Sequence, residues 1–180
     1  MPARSTTKLA PVIPSFLLIP AIVVLVVSVY CYASESNKIF GLMGIVFTTI
    51  YAVMEGSNYF IQMTTVRQNI LSGETSSLAL FIFDNPHSVV LAVDTLGYFF
   101  LSLAVLSIAP IFSHGRTEAG IRWLFIATGV LGVLGTVGFA IDNTVLGPGT
   151  LLSGVPFLLA TLLLIAVFWR ARQPSNNTEG

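Results

Sequence analysis

Five long apolar stretches dominate this chain and limit what it can fold into. An α-helix needs about 20 mainly apolar residues to cross the hydrocarbon core of a bilayer, and every stretch is close to that length. They cover residues 12–32, 39–63, 88–112, 123–141 and 151–169, and are called spans 1 to 5 here. Only 9% of the 180 residues are charged, against about 25% in soluble domains. The sequence therefore predicts an all-α fold, an integral membrane bundle of five transmembrane helices.

The remaining segments predict one membrane domain with two tails. Residues 12–172 form the domain, 1–11 an N-terminal tail, and 173–180 a polar tail that we expect to be disordered. Arg4 and Lys8 precede span 1, as basic residues precede the apolar core of a secretory signal. The apolar run of span 1 is longer than the roughly 7–15 residues of a signal core, so we expect span 1 to remain in the protein.

Turn-forming residues mark the two helix ends around the longest loop. Ser72-Gly73 is typical of a helix C-terminus, which would extend the second helix beyond the bilayer. Asn85-Pro86 is typical of an N-cap followed by the first helical residue, and is predicted to start the third helix. Between them, the apolar run 78–83 is too short to cross a membrane. We expect it to lie at the interface or to fold back into the bundle.

The fourth helix is predicted to begin just ahead of its apolar run. Thr117 and Glu118 would form its first turn, with Glu118 paired to Arg122 one turn later. A tight turn at residues 147–149, Gly-Pro-Gly, is predicted to join this helix to the fifth.

Positive residues near the span ends predict the orientation. With five spans, the N-terminus and the loops after spans 2 and 4 share one side, called side B, and the C-terminus lies on the other, side A. Lys and Arg concentrate on the cytoplasmic side of membrane proteins. Side A has five such residues and side B three: Lys38, Arg116, Arg122, Arg170 and Arg172 against Arg4, Lys8 and Arg67. We therefore expect side A, with the C-terminus, to be cytoplasmic.

Spans 2 and 3 carry polar side chains at helical spacing. Positions i, i+3, i+4 and i+7 share one face of a helix. The residues at such offsets are Glu55, Asn58, Tyr59 and Gln62 in span 2, and Asp94 and Tyr98 in span 3. Counted from side B at 1.5 Å per residue, Glu55 and Asp94 both lie ~10–12 Å deep. We therefore expect these six side chains to converge on one ligand-binding pocket.

The two acids predicted at this depth need an explanation. An acidic residue near the bilayer centre costs about 2.5–3.5 kcal/mol on insertion scales, and such residues usually face the bundle or a water-filled cavity. Two adjacent carboxylates cannot both stay ionised cheaply, so we expect a shared proton or a bound cation. Alternatively, Glu55 only joins helices through hydrogen bonds, which average ~0.6 kcal/mol in membranes. That gain is small beside the cost, which favours a site.

The chain lacks the motifs of most enzymes and cofactor proteins. It has no GxSxG, HExxH, Walker A or CxxC motif, and its one cysteine, Cys31, excludes an intrachain disulfide. Its two histidines, His87 and His114, lie at opposite ends of span 3 and cannot share a metal or haem. We therefore predict no cofactor and no metal. Nothing resembles the basic face of a nucleic-acid-binding protein, so the lipid bilayer is the expected partner.

Small residues recur at helix-packing intervals in two spans. Such residues let helix backbones approach closely in membranes. The series are Gly44, Thr48, Ala52 and Gly56 in span 2, and Gly129, Gly132, Gly135 and Gly138 in span 4. Packing within the bundle is the first interpretation, and a homo-oligomer joined through these faces is the second.

These observations favour one function and leave two alternatives. The favoured function is binding of a small molecule, a lipid head or a cation in a membrane-embedded acidic pocket, as a component of a transporter or sensor. The first alternative is a lipid-modifying enzyme that uses Glu55 or Asp94 as acid and base. The second is a structural or assembly subunit. The missing motifs favour a protein that is not an enzyme, with a lipophilic small molecule as its partner.

Two segments of the chain also resemble a family. YFIQMTTVRQNILSGE and DNPHSVVLAVDTLGYFFLSLAVLSIAPIF are similar to segments of small multi-pass membrane proteins of bacteria and archaea that have no assigned activity. The likeness covers about residues 56–140. It implies a fold of several helices in the cell membrane of a prokaryote, and it brings no activity with it.

Overall fold

Five helical spans make up the described part of the chain. The computed structural model describes residues 12–74, 78–83 and 85–171, which contain no strand. Five helices are long and apolar enough to cross a membrane: Val12–Tyr32, Glu35–Ser72, Val89–Ile111, Gly115–Ala140 and Gly149–Arg170. The predicted all-α bundle of five spans is confirmed. The predicted tails, 1–11 and 173–180, lie outside the described residues.

Three of the spans change helix type or break along their length. Span 2 consists of a 3-10 turn, an α-helix, a π-turn and a second α-helix: Glu35–Asn37, Lys38–Ile61, Gln62–Val66 and Arg67–Ser72. Span 3 consists of the α-helix Val89–Ile108 and the 3-10 turn Ala109–Ile111. Span 5 consists of two α-helices, Gly149–Leu152 and Gly154–Ala171. The loop after span 2 holds a further 3-10 turn, Leu78–Leu80. Spans 1 and 4 are continuous α-helices.

Span 2 is much longer than a bilayer is thick. Its 38 residues rise about 57 Å at 1.5 Å per residue, against about 30 Å of hydrocarbon. The helix ends where Gly73 adopts the left-handed conformation, with φ 80°, which glycine reaches without steric cost. The predicted end at Ser72-Gly73 is confirmed.

Neighbouring spans pack against each other in chain order. Span 2 lies between spans 1 and 3, and span 4 between spans 3 and 5. Their shared core includes Val26, Ile108 and Phe125, which are almost fully buried. Spans 1 and 5 meet near side A, where the ring centroids of Tyr32 and Phe168 are 5.8 Å apart.

Large apolar side chains cover the outside of the bundle. They are exposed on every span, as Val24, Val53, Leu96, Leu134 and Leu158 illustrate. Such a surface would be costly in water, since each exposed aliphatic side chain forgoes about 1.5–3 kcal/mol of burial. It is the surface expected of a bundle surrounded by lipid.

The glycines of span 4 pack within this chain. A Cβ atom at each would overlap a neighbouring residue: Leu106 at Gly129, Ser102 at Gly132, Thr150 at Gly135 and Leu146 at Gly138. Spans 3 and 5 therefore approach span 4 closely. In span 2, Gly44 likewise meets Ile108, whereas Gly56 faces open space. The glycine spacing of span 4 serves packing within the bundle, and a homo-oligomer remains a prediction.

The third helix starts later than Asn85-Pro86, so the predicted N-cap is wrong. The N-cap is Ser88, whose hydroxyl accepts a hydrogen bond of 3.1 Å from the backbone N–H of Leu91. Asn85 instead accepts from the N–H of His87 at 3.0 Å and donates to the carbonyl of Ala79 at 2.7 Å. Asparagine readily makes such local bonds, and here they shape the loop rather than the helix.

The predicted pairing of Glu118 with Arg122 is also wrong. The fourth helix begins at Gly115, and Glu118 reaches back to accept from the backbone N–H groups of Ser113 and His114, at 3.1 and 2.9 Å. The Tyr32 hydroxyl donates to it as well, at 2.7 Å. N–H groups at a helix start have no partner within the helix, and a buried carboxylate satisfies them better than it pairs with an exposed arginine.

Candidate binding site at the side-B end of the bundle

The structure brings Glu55 and Asp94 together, as their matching depth predicted. Glu55 is fully buried between spans 2 and 3, and the carboxyl group of Asp94 lies within hydrogen-bonding reach of it. Gly97 makes room for this contact, since a Cβ atom there would overlap the Oε1 atom of Glu55. Glu55 of span 2 thus lies against Asp94 and Gly97 of span 3.

The Glu55 carboxyl group has no hydrogen-bond donor among the described residues. Both of its oxygens are buried and without a partner. The nearby Asp94 does not supply a donor when it is ionised, because a carboxylate only accepts. Nor does any Lys, Arg or His in the described ranges form an ion pair with either acid. A buried polar group left unpaired costs about 1–3 kcal/mol, and more when charged, so this pair requires a proton or a cation.

Asn58 and Gln62 each join two structural elements through a hydrogen bond. Asn58 is buried and donates to the backbone carbonyl of Val90 at 3.1 Å, which ties span 2 to span 3. Gln62 donates to the carbonyl of Phe81 at 2.5 Å, which ties span 2 to the loop after it. These two of the six predicted site residues therefore position the others.

A cavity of ≈ 440 Å³ lies in front of Asp94. Its walls come from the start of span 1, from span 2 and the loop after it, from spans 3 and 4, and from the start of span 5, so it belongs to the side-B half of the bundle. The lining residues are Val12, Ser15, Tyr59, Phe83, Asp94, Tyr98, Leu101, Ser102, Thr128, Thr150, Leu151, Ser153, Gly154 and Phe157. Three predicted site residues, Tyr59, Asp94 and Tyr98, line it, and Glu55 lies behind them.

Several small hydroxyl groups in the wall were missed by sequence reasoning. Ser102, Thr128 and Ser153 each donate to a backbone carbonyl three or four residues earlier, at 2.7, 2.8 and 2.6 Å. With their donors used within their own helices, these hydroxyls present acceptor lone pairs to the cavity. Their only sequence signal is a Ser or Thr within an apolar run, which is common in membrane helices.

Aromatic rings frame the cavity on the side of spans 2 and 3. The Tyr59 hydroxyl lies within hydrogen-bonding reach of Ser15 and Tyr98, which links spans 1, 2 and 3. The ring of Tyr59 is 6.1 Å from that of Phe83. Behind them, the Tyr51 and Tyr98 ring centroids are 6.0 Å apart. Such ring faces attract cations.

The loop after span 2 contacts the bundle at both ends of run 78–83, while residues 79–81 between them are exposed. Leu78 is buried, and Phe83 forms part of the cavity wall. The hydrogen bond from Gln62 to the Phe81 carbonyl fixes the middle of the loop. The described part of the loop therefore covers the cavity from side B.

Spans 1 and 5 both contribute residues to the cavity wall near side B. Each packs mainly on its neighbour in the chain, and their ring contact lies at side A. Near side B, Val12 and Ser15 of span 1 face the cavity together with Leu151 and Phe157 of span 5.

Comparison of the chain with protein-family models, with curated proteins and with solved structures finds no match. The site must therefore be interpreted from its own geometry.

Proposed function

We propose that this protein binds a small cationic amphiphile in its membrane-embedded acidic pocket, as a component of a transporter or a sensor. The observation that carries the proposal is Asp94 on the cavity wall, backed by Glu55, whose buried oxygens have no donor among the described residues. No Lys, Arg or His is among the described lining residues. An anionic ligand would meet the negative charge of Asp94 there and no positive charge among the described lining residues.

The hydrogen-bond acceptors in the cavity wall support a ligand whose head group donates hydrogen bonds. An ammonium group has several N–H donors, and a quaternary ammonium has charge without donors. Either would be attracted by Asp94 and by the faces of Tyr59 and Tyr98. The acceptor lone pairs of Ser102 and Ser153 would add contacts to a donating head group.

The apolar part of the cavity supports a ligand with a hydrocarbon tail. Leu101, Leu151 and Phe157 line it beside the polar groups and offer apolar contacts to such a tail. A volume of ≈ 440 Å³ lies within the roughly 300–1,000 Å³ of small-molecule pockets. A head group with a short alkyl chain fits this space.

The membrane and its orientation complete the proposal. We place the protein in the cell membrane of a prokaryote, with side A cytoplasmic because it has more Lys and Arg near the span ends. The pocket then opens toward the outer leaflet, where it would meet amphiphiles that arrive from outside.

Thermal unfolding of the purified protein tests this function. Octyltrimethylammonium below its micelle concentration should raise the unfolding midpoint, because a ligand that binds only the native state stabilises it by about 2.7 kcal/mol at 100 times its Kd. Octanol and octyl sulfate should not. Asp94→Asn should abolish the rise, whereas Asp142→Asn, the same change at an exposed turn residue, should keep it. Equal shifts for the cationic and anionic probes would rule the proposal out.

A further inference from the structure

We infer that Glu55 and Asp94 hold one proton between them, so that the pocket carries a single negative charge, which a ligand with one positive charge neutralises. This inference rests on the proposed function and deepens it by fixing the charge of the pocket. It follows from the contact between the two acids, their different exposure and the groups around them.

The two carboxyl groups are not equivalent. Glu55 is 0% exposed, whereas Asp94 is half-buried and forms part of the cavity wall. A proton on Glu55 would turn their contact into an O–H···O⁻ hydrogen bond that Glu55 donates and Asp94 accepts. Such charge-assisted bonds are among the strong ones in proteins. It would supply the one donor that the buried pair lacks and leave the charge on the acid that faces the cavity.

The surroundings do not offer a positive charge in place of that proton. The titratable groups that face the pair are the hydroxyls of Tyr51 and Tyr59 on span 2 and of Tyr98 on span 3, which are neutral near neutral pH. Span 1 contributes Ser15 to this end of the bundle, which does not titrate. Among the described residues nothing offsets a second negative charge, and two adjacent charges repel strongly in a low-dielectric interior.

The single negative charge of the pair decides whether a bound ligand displaces the shared proton. A monocation beside Asp94 makes the site neutral, so the proton stays on the pair. A dication leaves one excess positive charge, and the site becomes neutral only when the shared proton leaves. The protonated Glu55 then becomes a carboxylate, its O–H bond breaks, and the proton passes to solvent. The number of protons released therefore reports the charge of the bound ligand.

Titration calorimetry of the intact protein in a nonionic detergent measures that number. Binding is followed at neutral pH in two buffers with different ionisation enthalpies, since a released proton adds the enthalpy of the buffer that takes it up. One probe is octyltrimethylammonium, and the other is an octyl-substituted piperazine quaternised at both nitrogens. Neither probe titrates. We expect no proton release with the monocation and one proton per chain with the dication.

Two variants connect the proton with its residues. Glu55→Gln keeps a donor toward Asp94 in its amide group but removes the carboxyl group that holds the proton. The same variant should bind the dication without releasing a proton. Asp94→Asn should weaken binding of both probes by a factor of about 10 to 100, the range of a hydrogen bond to a charged group.

The outcomes separate this inference from the proposed function. Proton release with the monocation would mean that the free pair holds two protons, and dication binding without release would mean that it holds no proton that a second positive charge displaces. Either result overturns the shared proton while the binding pocket stands. Absence of binding heat with both probes would overturn the proposed function and this inference together.

Discussion

At the scale of single residues, Gly97 and Glu55 show how closely the site is built. Gly97 lies opposite the Glu55 carboxyl group, and only the absence of a Cβ atom lets that group approach span 3. In the sequence, Gly97 resembles any other small residue of a membrane helix. Its role depends on how spans 2 and 3 are rotated against each other, which the spacing of residues along one helix does not fix.

Gly97→Ala should destabilise the protein by about 1–3 kcal/mol, the usual cost of inserting a methyl group into a packed interior. Gly56→Ala on span 2 is the matched control, because a Cβ atom there meets nothing within 4 Å and alanine favours a helix over glycine by about 1 kcal/mol. Thermal unfolding in one detergent compares the two. A stability loss no larger for Gly97→Ala than for Gly56→Ala would show that the Glu55–Gly97 contact is not tight.

At the scale of elements, a hydrogen bond joins the loop after span 2 to span 2 itself, beside a π-turn. The tie starts at Gln62, the first residue of the π-turn Gln62–Val66, a type of irregularity often found at functional sites. Its amide reaches the Phe81 carbonyl, and Phe83 lies over the cavity. The sequence placed Gln62 on one face of its helix with Glu55 but did not reveal this partner, because the loop conformation depends on local bonds such as those of Asn85.

Gln62→Leu should release the loop while it leaves the spans intact. We expect faster amide hydrogen exchange in residues 78–83, because the hydrogen bond to the Phe81 carbonyl is lost, and little change in the unfolding midpoint. Gln68→Leu on the same helix, at an exposed position, serves as the control and should leave exchange in the loop unchanged. Identical exchange in both variants would show that Gln62 does not hold the loop.

At the scale of the whole molecule, hydropathy predicted the five spans because lipid imposes a minimum apolar length on every crossing helix. The spacing of Glu55 and Asp94 also predicted their meeting, since adjacent antiparallel helices bring equal depths together. The contribution of spans 4 and 5 to the cavity could not be predicted. Thr128 of span 4 and Ser153 of span 5 line the cavity together with Ser102 of span 3. They do so because the glycines of span 4 let spans 3 and 5 approach it closely.

Cysteine labelling tests the arrangement of the five spans. In a Cys31→Ser background, Ser34→Cys lies between spans 1 and 2 and Ser72→Cys at the end of span 2, so a membrane-impermeant reagent should reach them from opposite sides. With side A cytoplasmic, Ser72→Cys reacts in intact cells and Ser34→Cys only after permeabilisation. The reverse pattern would invert the orientation, and labelling of both from one side would contradict the five-span topology.

If Asp94 holds a cation in one pocket per chain, native mass spectrometry can count the bound cations. The protein, released from detergent in the presence of octyltrimethylammonium, should carry one bound probe per chain, whereas octanol should give no adduct. Asp94→Asn should lose the adduct, and Asp142→Asn should retain it. A variable number of bound probes per chain, or an equal adduct on Asp94→Asn, would show that Asp94 does not hold the cation in a single pocket.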